Sequence, residues 1–440
     1  MTYPQRVETV VAMAALCAAV ALRAEDWPQW RGPRRDSTWN ETGILQTFPR
    51  EGLKVLWRVP IGVGFSSPCV VHGRVYVTDS RVTRSSTKEN VHCVDAATGK
   101  TIWTYGYDVK YPEWGADPDH PFGPIATPVI ADGKIYTLGR VSNLLCLDAI
   151  TGSVLWHKDL PKQYQTNDDL RGSNCSPIIE GELIIIAIAK SPQASIVAFN
   201  KNTGLQVWES LDEIPSNSSP IVITSAGRKQ IIVWAYKSVA ALDPPTGRIL
   251  WRQSVNTGPT YTVATPVWNE DRLLLGGLML KLTSDKPAVS VLWPEEMRPS
   301  LIHVSDTSTP LIQDGLVFSP NSKGQLLCLD AATGRQLWQA DQLTETKGGA
   351  SVHLTAAPSI HCIFLYTDRG DLILSRLTAA GYNEISRAHL IDPTSDYAGR
   401  KMAWPPPAYA GRCVFARSDK ELVCASLAAE ANGKEQEQWK

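Results

Sequence analysis

The side chains able to do chemistry are gathered in short polar stretches between apolar runs. In chain order these are Trp114, Asp117, Asp119 and His120; Arg171 and Asn174; Asn217; Tyr261; His303 and Asp306; His353; and Arg400 with Lys401. A histidine near a carboxylate can exchange protons around neutral pH, and Asn, Tyr and Arg can orient a polar ligand. A second series is basic: Arg81, Arg140, Lys190, Lys237, Lys323, Arg369 and Lys420. Cations set around one opening would favour an anionic ligand, although Lys and Arg at hairpin tips more often only face solvent. No nucleophile is paired with any of these histidines. They read as loop anchors or binding groups, and no residue is assigned a catalytic role.

Other chemistries lack their motifs. There is no CxxC or HExxH, so a metal site has no support, and no GxSxG that would mark a nucleophile elbow. Thr98 to Thr101 imitates the end of a phosphate loop, but Val94 stands where its first glycine must be. Asn40 and Asn217 head NxT and NxS triplets and are expected to be unmodified. With 43% hydrophobic and 20% charged residues over 440 positions, the chain has ample material for a large core. A net charge of −1 leaves no basic face for neutralising phosphates, which excludes nucleic acid as a partner.

The elements that must position these side chains repeat. A phrase DxxTGxxxW occurs at Asp95–Gly99–Trp103, Asp148–Gly152–Trp156, Asp243–Gly247–Trp251 and Asp330–Gly334–Trp338, and Asn200 replaces the Asp in the copy with Gly204 and Trp208. The acidic or amide group accepts N–H groups of a tight turn, the glycine supplies a positive φ, and the tryptophan falls on the next strand facing a neighbouring unit. Upstream, a small residue and proline open an apolar strand at Ser67–Pro68, Thr127–Pro128, Ser176–Pro177, Ser219–Pro220, Thr265–Pro266, Thr309–Pro310 and Ala357–Pro358. Between the two phrases lie Gly-containing two-residue turns, such as those at Asp132–Gly133 and Asp314–Gly315. Each unit is therefore four antiparallel strands, the size of one propeller blade.

Seven units begin near residues 66, 126, 175, 218, 264, 308 and 356, and an eighth near 403 lacks a tryptophan phrase. Val55 to Arg58 reads as an outer strand without a blade. The expectation is an all-β, eight-bladed β-propeller over 54–427 in which this N-terminal strand completes the eighth blade, with seven blades as the alternative count. In such a ring the polar stretches named above share one face, where the loop 106–125, carrying Tyr107 and Tyr111, is long enough to overhang the centre.

At the amino end, Arg6, an apolar run from Val10 to Leu22 and small residues at Ala19, Ala21 and Ala24 read as a secretory signal over 1–24, too short to span a membrane. Residues 25–53 are expected to be an extended segment and 428–440 a polar tail. The protein is expected to be periplasmic or secreted.

These repeats resemble those of the PQQ-like (pyrroloquinoline-quinone-type) β-propellers, and the opening Trp27 to Pro33, WPQWRGP, resembles a secreted subgroup of them. The resemblance implies one of two functions. One branch holds quinoprotein dehydrogenases, with the quinone and a calcium ion at the propeller's centre; the other holds cofactor-free scaffolds of the BamB type. Adjacent cysteines, common beside the quinone, are absent here. Cys93, Cys146, Cys328 and Cys424 recur instead in one strand slot that takes Ala198 and Ala241 elsewhere, so they read as small buried hydrophobes. The expected function is an exported, non-catalytic scaffold binding a protein or cell-envelope partner through the polar face, with no cofactor; a quinone- and Ca²⁺-dependent oxidoreductase is the alternative.

Overall fold

The computed structural model describes residues 25–112, 115–119, 121–164, 174–190, 194–255, 263–294, 307–341, 343–344, 350–397 and 399–429. They form eight four-stranded antiparallel sheets arranged as the blades of a propeller. Blades 1 to 7 are continuous in sequence, at 69–109, 129–159, 178–210, 221–254, 267–293, 311–340 and 352–389. Blade 8 takes three strands from 408–426 and its outer strand, Val55–Pro60, from the amino end. That strand pairs antiparallel with Glu421–Ser426, Trp57 opposite Cys424 and Val59 opposite Leu422. Closure leaves no open edge between the last blade and the first.

The turn phrase explains how neighbours lock. Asp95 Oδ1 accepts both the Thr98 N–H at 2.8 Å and the Thr98 hydroxyl at 2.7 Å, and Asn200 does the same for Thr203. The tryptophan of one blade then covers the turn of the next. Trp57 Nε1 donates to Ala96 O, Trp103 to Ala149 O, Trp156 to Lys201 O, Trp208 to Pro244 O and Trp293 to Ala331 O, over 2.9–3.3 Å. Beneath those indoles lie Gly99, Gly152, Gly204, Gly247 and Gly334, with φ of 69–75°, where a Cβ would stand 2.5–2.9 Å from the ring. Glycine is thus required twice over, for backbone angle and for close approach. Blade 5 has no such turn, and Trp251 bonds Gln230 within its own blade instead.

The hydroxyl before each strand-opening proline does comparable work at the inner wall. Ser67 N donates to Thr127 Oγ1, Thr127 N to Ser176 Oγ, Ser176 N to Ser219 Oγ and Thr265 N to Thr309 Oγ1, at 2.9–3.1 Å. Each blade so satisfies a buried N–H of the blade before it. Ala357–Pro358 is different: it ends the inner strand Val352–Ala357 and enters a 3₁₀ turn, so blade 7 begins at 352 rather than 356. Its inner strand is tied to blade 6 through Val352 N and Ser308 Oγ, 2.9 Å apart, which serves the same purpose without a proline phrase.

Hydrophobic clusters are mostly shared between adjacent blades. The largest joins blades 7, 8 and 1 to Trp27, Trp39 and Phe48 of the N-terminal segment, with Phe48 and Phe364 stacked 6.4 Å apart. Cys93, Cys146, Cys328 and Cys424 are fully buried, and none of the described cysteines is in a disulfide.

Candidate functional site

Residues 27–39 run into the centre of the ring. Trp27 pairs with Val70 of blade 1, Pro28 O accepts from Ile130 N of blade 2, and Trp39 N donates to Ala356 O of blade 7. Arg35 reaches across to the far wall, where its guanidinium donates to Pro220 O at 2.7 Å, to Ser176 O at 3.4 Å and to Pro177 O. Trp30 Nε1 donates to Thr265 Oγ1 of blade 5 at 2.8 Å. Six blades, 1 to 5 and 7, are bonded at or just before their inner strands by this one segment. Burial lowers the pKa of Arg35 to about 9 and that of Arg31 to about 10, so both stay charged at neutral pH and must be solvated by carbonyl oxygens.

Beyond the plug the centre opens as a funnel of about 470 Å³. Trp30 is among its lining residues. The apolar wall includes Val63, Phe65, Phe122, Ile125, Val263, Trp404 and Pro406, and the neutral polar lining includes Asn174, Ser176, Asn217, Ser219, His353 and Ser395. Asp119, Asp396, Asp419 and Lys420 are the charged residues among the described lining, and Tyr397 packs edge-on against Trp404 with ring centres 4.9 Å apart.

Two groups in this wall have defined hydrogen-bonding polarity. His353 Nε2 lies 2.9 Å from Trp404 O; a carbonyl only accepts, so Nε2 carries the proton and Nδ1 is left as an acceptor. Burial pushes the His353 pKa down to about 4, which keeps the ring neutral at physiological pH. On the blade 3 and 4 side, Arg140 donates to Asn174 Oδ1 at 2.5 Å, which orients Asn174 so that its Nδ2 donates to Asn217 Oδ1 at 3.0 Å. The Asn217 amide nitrogen therefore remains a donor.

The sequence-derived candidates are distributed unevenly. Asp119, Asn174, Asn217 and His353 line the funnel together. Asp117 caps its own loop, accepting from Asp119 N. Arg140 and Arg400 lie inside the wall rather than on a rim: Arg140 sits 5.5 Å from the Phe122 ring, and Arg400 makes a buried 2.6 Å ion pair with Asp368. Lys237, Lys323 and Arg369 are exposed. Trp114, His120, Arg171, Tyr261, His303 and Asp306 lie outside the described residues. Tyr111 does not overhang the funnel. It is buried and, with Tyr107, donates to the Glu89 carboxylate, whose pKa burial raises.

Trp30, Arg35, Phe122, Tyr397 and Trp404 were missed. A dense Trp and Arg cluster lying outside any repeat, Trp27 to Arg35, was the available signal for the first two. The others sit in non-repeating loops.

The family model described as "Outer membrane protein assembly factor BamB" matches residues 87–279 and 283–434, well over half of the chain. The chain belongs to that family of PQQ-type propellers. The BamB of Moranella endobia is 22% identical over 231 residues, covering 49% of this chain and 56% of that protein. The quinoprotein alcohol dehydrogenase PedH of Pseudomonas putida is 28% identical over 148 residues, 31% of this chain and 24% of the relative. The chain thus spans about half the length of one relative and a quarter of the other. Among solved structures, the quinohemoprotein alcohol dehydrogenase of Comamonas testosteroni superposes with a TM-score of 0.61 at 14% identity, covering 92% of this chain and 81% of that one. BamB from Moraxella catarrhalis gives 0.56 at 16%, covering 86% and 99%. Both likenesses concern the fold.

The quinone of the dehydrogenase branch is a tricarboxylate held with a cation. Here the described funnel lining offers three carboxylates against one lysine, and no group of three or more His, Cys, Asp or Glu among the described residues is placed to hold a metal ion. Arg31 and Arg35, the cations of the plug, bond within it and to carbonyls at the starts of the blade 3 and 4 inner strands. The described residues do not fit that cofactor.

Proposed function

We propose that this chain is an exported, non-catalytic binding protein whose funnel face receives a protein or cell-envelope partner. The observation that carries this reading is the filled centre: residues 27–39 are bonded to six blades, beside a funnel lined by aromatic rings, neutral hydrogen-bonding groups and four charged residues. Export rests on the leader-like residues 1–24. No helix among the described residues is long and apolar enough to cross a membrane.

A quinone-dependent oxidoreductase is the second reading, favoured by the quinoprotein relatives. One titration separates the two. Purified protein is mixed with pyrroloquinoline quinone and Ca²⁺ while the cofactor's absorbance and reduction of an artificial electron acceptor are followed. The binding-protein reading expects no saturable spectral change and no dye reduction; saturation with turnover would overturn it. Affinity capture from envelope extracts, repeated with Trp404→Ala, then tests the face, since a partner retained at full yield would place binding elsewhere.

A further inference from the structure

We infer that the funnel is a seat for an uncharged planar aromatic compound carrying a hydroxyl or similar donor at one end and a hydrogen-bond acceptor at the other. This rests on the reading of the funnel as the binding face and names the chemistry of what enters it.

Size is the first argument. A cavity of about 470 Å³ falls within the range that encloses small organic ligands. Its wall is the second: Trp30, Phe65, Phe122 and Trp404 present flat rings, which favour a flat apolar body. Polarity supplies the third. His353 Nδ1 has no hydrogen-bond partner among the described residues, and the proton on Nε2, held by Trp404 O, makes it an acceptor only. Asn217 is the mirror case. Its oxygen is taken by Asn174, which Arg140 orients, so its amide N–H groups face the ligand as donors. The two residues stand three blades apart around one cavity, which is why the ligand must offer a donor and an acceptor at separate ends.

Charge selects against ions. A carboxylate ligand would have to leave water for an apolar wall and meet Asp119, Asp396 and Asp419 on the way. A cation would suit His353 Nδ1 and the carboxylates but would leave the Asn217 amide N–H groups unpaired, because a donor cannot serve it. An uncharged ligand pays neither cost, and each hydrogen bond it makes satisfies a group already fixed in orientation.

The probe is 2,6-dihydroxynaphthalene, with naphthalene as the apolar control and 2,6-naphthalenedicarboxylate as the charged one, measured by equilibrium dialysis on the full chain. The diol is expected to bind saturably at one per chain, about tenfold or more tighter than naphthalene, as two modest hydrogen bonds allow. The dicarboxylate is expected to bind weakest. His353→Phe and Asn217→Ala should each bring the diol toward naphthalene without weakening naphthalene itself, and His353→Gln, which keeps an acceptor, should restore part of the difference. Melting curves confirm that each variant is folded. A dicarboxylate that binds as well as the diol, no saturable diol binding, or a diol preference untouched in both variants overturns the inference. If partner capture still depends on Trp404 in that event, the binding face stands and only the ligand chemistry falls.

Discussion

Trp30 Nε1 donates to Thr265 Oγ1 at 2.8 Å, engaging on blade 5 the hydroxyl that on blades 2, 3, 4 and 6 accepts a backbone N–H from the blade before. The N-terminal segment is thereby a member of the inner hydrogen-bond ring. Among the described residues, its hydrogen bonds to blades 3 and 4 come from one guanidinium, that of Arg35.

Replacing Arg35 with Met removes the donors to Pro220 O, Pro177 O and Ser176 O while keeping much of the side-chain bulk. Unmade bonds to a charged donor in a dry site cost about 2–4 kcal/mol. Urea unfolding should show a loss of that size, and limited proteolysis should cut within 25–53 faster than in the wild type. Unchanged cleavage would mean the segment is held by its tryptophans alone.

The turn glycines offer a controlled pair. Gly152 has φ of 75° and a Cβ there would stand 2.6 Å from Trp103; Gly133 has φ of 71° with nothing within 4 Å. Gly133→Ala should cost about 1 kcal/mol for backbone angle. Gly152→Ala should cost about 1–3 kcal/mol more, because the indole must move as well. Equal losses would show that the interlock contributes nothing beyond φ.

Trp57 belongs to the strand that closes the ring, covers Gly99 and packs against Phe415, whereas Trp338 is half-buried and has no turn glycine beneath it. Trp57→Ala is expected to cost about 3–5 kcal/mol and Trp338→Ala clearly less, measured by denaturant midpoints. The reverse order would argue against closure through the amino-terminal strand.

His353 makes stability depend on pH. Its folded pKa is depressed by burial to about 4 from an ordinary 6.5, so the unfolded chain binds the proton first on acidification. Stability from this group is complete above pH 6.5 and is lost as pH falls from there to about 4, by up to roughly 3 kcal/mol. Asp79 acts lower. Burial would raise its pKa, but His92, Asn90 and Gly62 N–H outweigh that and hold it at about 2, so its share is present above pH 3.8 and lost toward pH 2. His353→Gln should flatten the melting-temperature profile between pH 6.5 and 4 and leave the slope below pH 3.8 intact. A mutant profile parallel to the wild type across both ranges would exclude His353 as the origin.

Legibility in the sequence followed repetition. The Asp95, Gly99 and Trp103 phrase could be read because five copies supplied their own comparison, and the orphan strand around Trp57 could be matched to an incomplete eighth blade. The misplacement of blade 7 has the same origin: Ala357–Pro358 imitates the strand-opening phrase but lacks the hydroxyl that the other blades use as an acceptor. Cations gave the weakest reading. Arg140 and Lys237 follow second strands alike, yet one is buried against Phe122 and the other faces solvent.

Eight blades, their order and the strand that joins the ends were determined by the sequence alone, because each rests on contacts between adjacent repeats that recur with a fixed register. The plug, the funnel and the polarity of His353 and Asn217 were decided only in three dimensions. Arg35 meets Pro220 across 185 positions and His353 meets Trp404 across 51, and neither contact repeats in another blade. A side chain's proton, charge and freedom to bond depend on such unique neighbours, which no periodicity encodes.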